Sequence, residues 1–82
     1  MDDRIREVIE THARLDLDPS TLSEHEDLYA SGMTSHASVN LMLALENEFD
    51  VEFPDRMLRR SVFESIASIR LALLELSTEN AA

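Results

Sequence analysis

The chain has 82 residues, 44% of them hydrophobic, and a formal net charge of −10 from 17 acidic and 7 basic residues. That length holds one small domain, and that hydrophobic content argues against a disordered chain. An acidic surface repels nucleic-acid phosphates, the absence of Cys excludes disulfides and zinc–thiolate sites, and no apolar run reaches membrane-spanning length.

The expectation is one domain over residues 1–82, with an ordered core over about 2–76. The first residues also lack the apolar stretch of a signal peptide. We expect a cytoplasmic monomer that engages neither nucleic acid nor membrane. A single Gly and two Pro point to long helices, and without Trp the core must come from Leu, Ile, Val, Met and Ala.

Residues 2–15 read as a first helix. Ile5, Val8, Ile9, His12 and Ala13 form one stripe at i, i+3, i+4, i+7 and i+8. His12 on that stripe is expected to be a half-buried packing residue. Residues 16–33 form a long connection punctuated by Asp16, Asp18-Pro19, Ser20, Ser23 and Gly32. Leu17, Leu22, Leu28 and Tyr29 are its expected anchors to the core, with a short helical turn near Ser20–Ser23. Loops of this length in small domains tend to be functional or self-packed.

Residues 35–50 read as a second helix. Thr34 can cap it by accepting a backbone N–H. Ser35 then falls on its first turn, where a phosphate would meet free N–H groups and the positive end of the helix dipole. One stripe is Ser38, Leu41, Met42, Leu45 and Phe49; a second is His36, Val39, Asn40, Leu43 and Asn47. A bundle helix needs only one apolar stripe. Either both are buried, or Val39 and Leu43 form an exposed docking face; the pattern leaves both open.

Val51 and Phe53 are expected to tuck inward from an extended link ending at Pro54. Asp55 can cap a short third helix, Arg56 to Arg60. Ser61-Val62-Phe63-Glu64 matches a capping box, S-x-x-E, and predicts a fourth helix over about 62–76. Its core stripe is Val62, Ile66, Ile69, Leu73 and Leu76, flanked by Phe63, Ala67 and Leu74. The tail from Ser77 is expected to fray. The whole is an all-α fold, a small up-and-down four-helix bundle with a short third helix.

Ser35 beside His36 invites a nucleophile–base reading, but adjacent helical residues do not face each other and no third residue orients the histidine. The three histidines lack metal-ligand spacing. Arg56, Arg59 and Arg60 form a basic cluster, serving either charge balance with Glu46, Glu48 or Asp55, or contact with one chosen partner.

The run Asp27-Leu28, Gly32-Met33-Thr34-Ser35-His36 and Val39 through Asp55 resembles the acyl carrier protein superfamily, over roughly residues 4–76. The family usually has Asp and Leu where this chain has Thr34 and His36. The chain also holds extra residues around Tyr29-Ala30-Ser31 relative to fatty-acid carriers.

The resemblance implies 4′-phosphopantetheine, taken from coenzyme A by a phosphopantetheinyl transferase with Mg²⁺ and esterified to Ser35 between Thr34 and His36. It implies a carrier without catalysis of its own, whose terminal thiol would hold a thioester. It also implies docking through Val39, Asn40 and Leu43, joined by Arg56, Arg59 and Arg60.

The Gly-Met-Thr-Ser-His motif, the Arg-Met-Leu-Arg-Arg third helix and the stand-alone chain look most like aminoacyl carrier proteins. Those are loaded by an amino acid:carrier protein ligase similar to seryl-tRNA synthetase, of class II. This implies a small amino acid such as glycine or alanine as cargo, and a downstream acceptor enzyme. The alternatives are an acyl or peptidyl carrier for lipid or secondary-metabolite synthesis, and a helical adaptor without a prosthetic group.

Overall fold

A computed structural model describes residues 2–13 and 21–80, with side chains through Ser77. The central helix lies at positions 35–49, as the periodicity of the sequence requires. Helix α1 spans Asp2–His12, α2 Ser35–Phe49, α3 Arg60–Phe63 and α4 Ile66–Asn80, with a 3₁₀ turn at Asp55–Met57 between α2 and α3. Among the described residues there is no strand. The expected all-α bundle with a short third helix is the fold found.

Helix α1 starts with Asp2 and Asp3 at its positive dipole end and buries Ile5, Val8 and Ile9. Ala13 continues the ladder, its N–H donating to Ile9 O at 2.8 Å. Residues 14 and 15, expected in this helix, lie outside the described residues. So do Asp16, Leu17, Asp18, Pro19 and Ser20. His12, expected to be half-buried, is exposed. Ala13, expected on the same stripe, is buried.

The fully buried side chains of α2, Leu41 and Leu45, meet Ile5 and Ile9 of α1 and Ile66, Ile69 and Leu73 of α4 in one core. Ser38, Met42 and Phe49 of the expected stripe are half-buried, and Ala37 is buried beside them. The inward face is thus narrower and centred on Ala37, Leu41 and Leu45. Asp50 ends the helix in the left-handed conformation, φ 53°, which Asp tolerates better than most residues. Val51 N–H then donates to Glu46 O, and Glu46 Oε2 accepts from Phe53 N–H at 2.8 Å. Glu46 therefore holds the extended link rather than balancing the arginine cluster. Phe53 is buried edge-on against Phe63, with ring centroids 5.2 Å apart, while Val51 is half-buried.

The third and fourth helices depart from the expected boundaries. Asp55 starts a 3₁₀ turn instead of capping an α-helix, and α3 begins at Arg60. The box at Ser61–Glu64 does not start α4: Ser61, Val62 and Phe63 belong to α3 and Glu64 is its C-cap. A second pair, Ser65 and Ser68, starts α4: Ser65 Oγ accepts from Ser68 N–H and Ser68 Oγ accepts from Ser65 N–H, both at 3.1 Å. Two donors at the helix end are satisfied reciprocally, which is why the break falls at Glu64-Ser65. Beyond it Ile66, Ile69, Leu73 and Leu76 are buried, and Val62 is half-buried. Of the flanking residues Phe63 and Ala67 are buried and Leu74 is exposed. Helix α4 does not fray at Ser77 but runs to Asn80.

The long connection is pinned to the bundle by polar contacts as well as by buried Leu22 and Leu28. Arg6 Nη1 donates to Leu22 O at 2.9 Å, and Ala67 N–H donates to Glu24 O at 2.9 Å. Arg70 Nη1 reaches both Asp2 Oδ2 (2.7 Å) and Glu24 Oε2 (3.0 Å), joining α1, the connection and α4. Leu28 N–H donates to Glu64 O at 2.7 Å, so the connection also grips the α3–α4 junction.

Candidate functional site

The start of α2 is assembled by local hydrogen bonds. Asp27 Oδ1 accepts from the N–H groups of Tyr29 (2.9 Å) and Ala30 (3.3 Å), winding residues 27–32 into a turn. Gly32, at φ 115°, leaves that turn by a path that a side chain would obstruct. Met33 N–H returns to Leu28 O at 3.0 Å, and Met33 is buried. The chain thus arrives at Thr34 in extended conformation. Thr34 Oγ1 accepts from Ala37 N–H at 3.0 Å and caps the helix. The sequence expectation of a cap at Thr34 holds, and the remaining N–H groups of the first turn point out of the helix end.

Ser35 is exposed on that first turn. Its neighbours have their hydroxyls engaged: Ser38 Oγ donates to Ser35 O at 2.7 Å, and Ser31 Oγ donates to Asp27 O at 3.1 Å. Among the described residues the Ser35 hydroxyl has no such partner. Of the three serines around the turn, Ser35 presents its hydroxyl to incoming chemistry at a helix end favourable to a phosphate.

A groove of about 330 Å³ opens at Ser35 between α2 and the α3 region. Val39, Met42, Leu58 and Phe63 make its apolar walls, and Tyr29, Arg59 and Arg60 stand around it. A second hollow, about 310 Å³, lies on the other flank of the helix start among His12, Gly32, Thr34, His36 and Asn40. The residues singled out in the sequence therefore divide. Ser35, Val39, Arg59 and Arg60 share the groove. Thr34, His36 and Asn40 share the hollow, because consecutive helical residues point about 100° apart. His36 does not line the groove beside Ser35.

The second stripe of α2 is open to solvent: Val39 is 51% and Leu43 53% exposed, and His36, Asn40 and Asn47 are exposed as well. The alternative of two buried stripes is excluded. The arginine cluster is split. Arg56 turns to Glu75 of α4 at 3.8 Å, whereas the Arg60 guanidinium lies over the Tyr29 ring, 4.2 Å from its centroid. Tyr29, Met42, Leu58 and Phe63 were not singled out as site residues. Tyr29 read as a core anchor, and the signal that could have flagged it is its place in the extra residues before Ser35.

A phosphopantetheine group fits these residues: a hydroxyl without a competing partner, a helix start suited to its phosphate, and an apolar groove edged by cations leading away from it. Among the described residues no cluster of three or more His, Asp or Glu could hold a metal ion, and no helix is long and apolar enough to cross a membrane.

Comparison with known proteins gives consistent matches. Residues 3–71 match the phosphopantetheine attachment site family. The aminoacyl carrier protein of Agrobacterium fabrum is 45% identical over 69 residues, 84% of this chain and 83% of that protein. A chain from the complex of an engineered Bradyrhizobium japonicum glycine:[carrier protein] ligase with the carrier protein of Agrobacterium tumefaciens and AMP superposes with a TM-score of 0.88. It is 42% identical, covering 90% of this chain and 99% of that one. A chain from the B. japonicum glycine:[carrier protein] ligase complexed with glycylated carrier protein gives a TM-score of 0.74 at 27% identity, covering 87% and 95%.

Proposed function

We propose, from the premise that this chain belongs to the phosphopantetheine attachment site family, that it is an aminoacyl carrier whose prosthetic group is esterified to Ser35. The observation that carries the assignment is the Ser35 hydroxyl itself, exposed and unengaged on the capped first turn of α2, at the head of the groove. When bound, the group supplies a terminal thiol that holds the cargo as a thioester. The chain's own residues do the rest. Thr34 fixes the helix start, and the free N–H groups of the first turn stabilise the phosphoester charge. Ser38 and Ser31 keep their hydroxyls on backbone carbonyls and leave Ser35 as the acceptor.

In this reading the partners catalyse and the chain presents. A phosphopantetheinyl transferase modifies Ser35 from coenzyme A, and an amino acid:carrier protein ligase then loads a small amino acid, glycine being favoured by the ligases that the relatives accompany. The ligase docks on Val39, Asn40 and Leu43, with Arg56 and Arg59 adding charge selection at the edge of that face. A downstream acceptor takes the cargo, and the setting is the cytoplasm.

The test is intact mass after incubation with a transferase and coenzyme A. Wild type gains one phosphopantetheinyl group and Ser35→Ala gains none, with its circular dichroism unchanged. Modification that persists in Ser35→Ala would place the attachment elsewhere. The modified wild type should then accept glycine from the ligase.

A further inference from the structure

The extra turn at Tyr29-Ala30-Ser31 and the arginines near α3 are thirty residues apart in sequence, and the fold brings them to one place. The Arg60 guanidinium lies over the Tyr29 ring in a cation–π contact, 4.2 Å from the ring centroid. Both ends of this contact are held. Tyr29 N–H is bonded to Asp27, Leu28 N–H is bonded to Glu64 O, and Arg60 is the first residue of α3. No carboxylate pairs with Arg60 among the described residues, although the chain carries 17 acidic residues. The site thus keeps a positioned cation whose N–H fork is available to an anion, on the edge of the groove that Ser35 heads.

We propose that the Tyr29–Arg60 pair holds the phosphodiester placed on Ser35, so that the arm leaves along the groove rather than over the hollow of His12 and His36. The inference rests on Ser35 as the attachment residue. A phosphodiester keeps one negative charge at neutral pH, and a guanidinium fork meets two of its oxygens in one plane. Tyr29 restricts the arginine to the groove's edge, which lowers the entropy lost when the contact forms. The apolar walls at Val39, Met42, Leu58 and Phe63 suit the hydrocarbon part of the arm that follows. Arg60 is on this account a positioning residue.

The experiment uses phosphopantetheinylated protein confirmed by mass, so that its failure is distinct from failure of attachment. Wild type, Arg60→Gln, Tyr29→Leu and Tyr29→Phe are compared by NMR, with apo forms checked for folding by circular dichroism. In wild type, attachment should shift the Arg60 side-chain N–H signal and give NOEs from the arm's methyl protons to Val39 and Met42. Those NOEs should vanish in Arg60→Gln, fall several-fold in Tyr29→Leu and persist in Tyr29→Phe, whose ring still stacks. They should also weaken from about 0.01 M to about 1 M salt, as the screening length drops from about 30 Å to about 3 Å. Unchanged NOEs in Arg60→Gln, contacts to His12 or His36 in wild type, or no arm contacts at all would overturn the proposal.

Discussion

Val39 and Leu43 sit one turn apart on α2 and keep about half their surface in solvent. They contribute little to the core, so Val39→Ala/Leu43→Ala should unfold within about 0.5 kcal/mol of wild type. Binding is another matter, because docking would remove that exposed half from water. Full burial of a Val or Leu side chain is worth about 1.5–3 kcal/mol, so half is worth about 1 kcal/mol and the pair about 2 kcal/mol. That corresponds to about 30-fold in Kd. The assay is calorimetric titration of the modified carrier into the glycine:carrier protein ligase, with guanidinium unfolding run on the same samples. A Kd within about twofold of wild type would remove these residues from the interface. A stability loss comparable to that of a core truncation would show that they support the fold instead.

Truncating Leu45, fully buried between α1 and α4, should cost about 2–5 kcal/mol by lost transfer energy and a cavity. Denaturant titration of Leu45→Ala checks it, and an unchanged midpoint would contradict the packing described. Thr34→Ala should lose about 1 kcal/mol with the cap, lowering Tm by about 4–8 °C in a thermal scan, and should slow modification at Ser35. The hydrogen bond and charge of Arg70 hold the Glu24 carboxyl below the usual glutamate range. Its contribution is therefore fully present above the ordinary glutamate pKa and disappears as pH falls through the lowered value. Wild type should lose stability through that acid window, and Glu24→Gln should flatten the loss; parallel pH profiles for the two proteins would exclude this linkage.

Much of this protein is written in local pattern. The 3.6-residue spacing of Ile5, Val8 and Ile9, of Leu41 and Leu45, and of Ile66, Ile69 and Leu73 determines three helices and their inward faces, because burying one apolar stripe is the way a short amphipathic helix gains stability. The Thr34–Ser35 start of α2 was equally legible, since a cap is a contact between residues three apart. Tertiary structure decided what depends on distant partners. Ser61–Glu64 spells a helix start, yet α4 begins from the reciprocal Ser65–Ser68 pair, with Val62 and Phe63 packed on the core and the Glu64 carbonyl held by Leu28. Whether α2 would be buried on one stripe or two turned on how many helices surround it, and the short α3 leaves Val39 and Leu43 in water. The groove beside Ser35 has Tyr29 and Arg60 on its rim because packing brings them together across thirty residues of chain, a juxtaposition that no local spacing encodes.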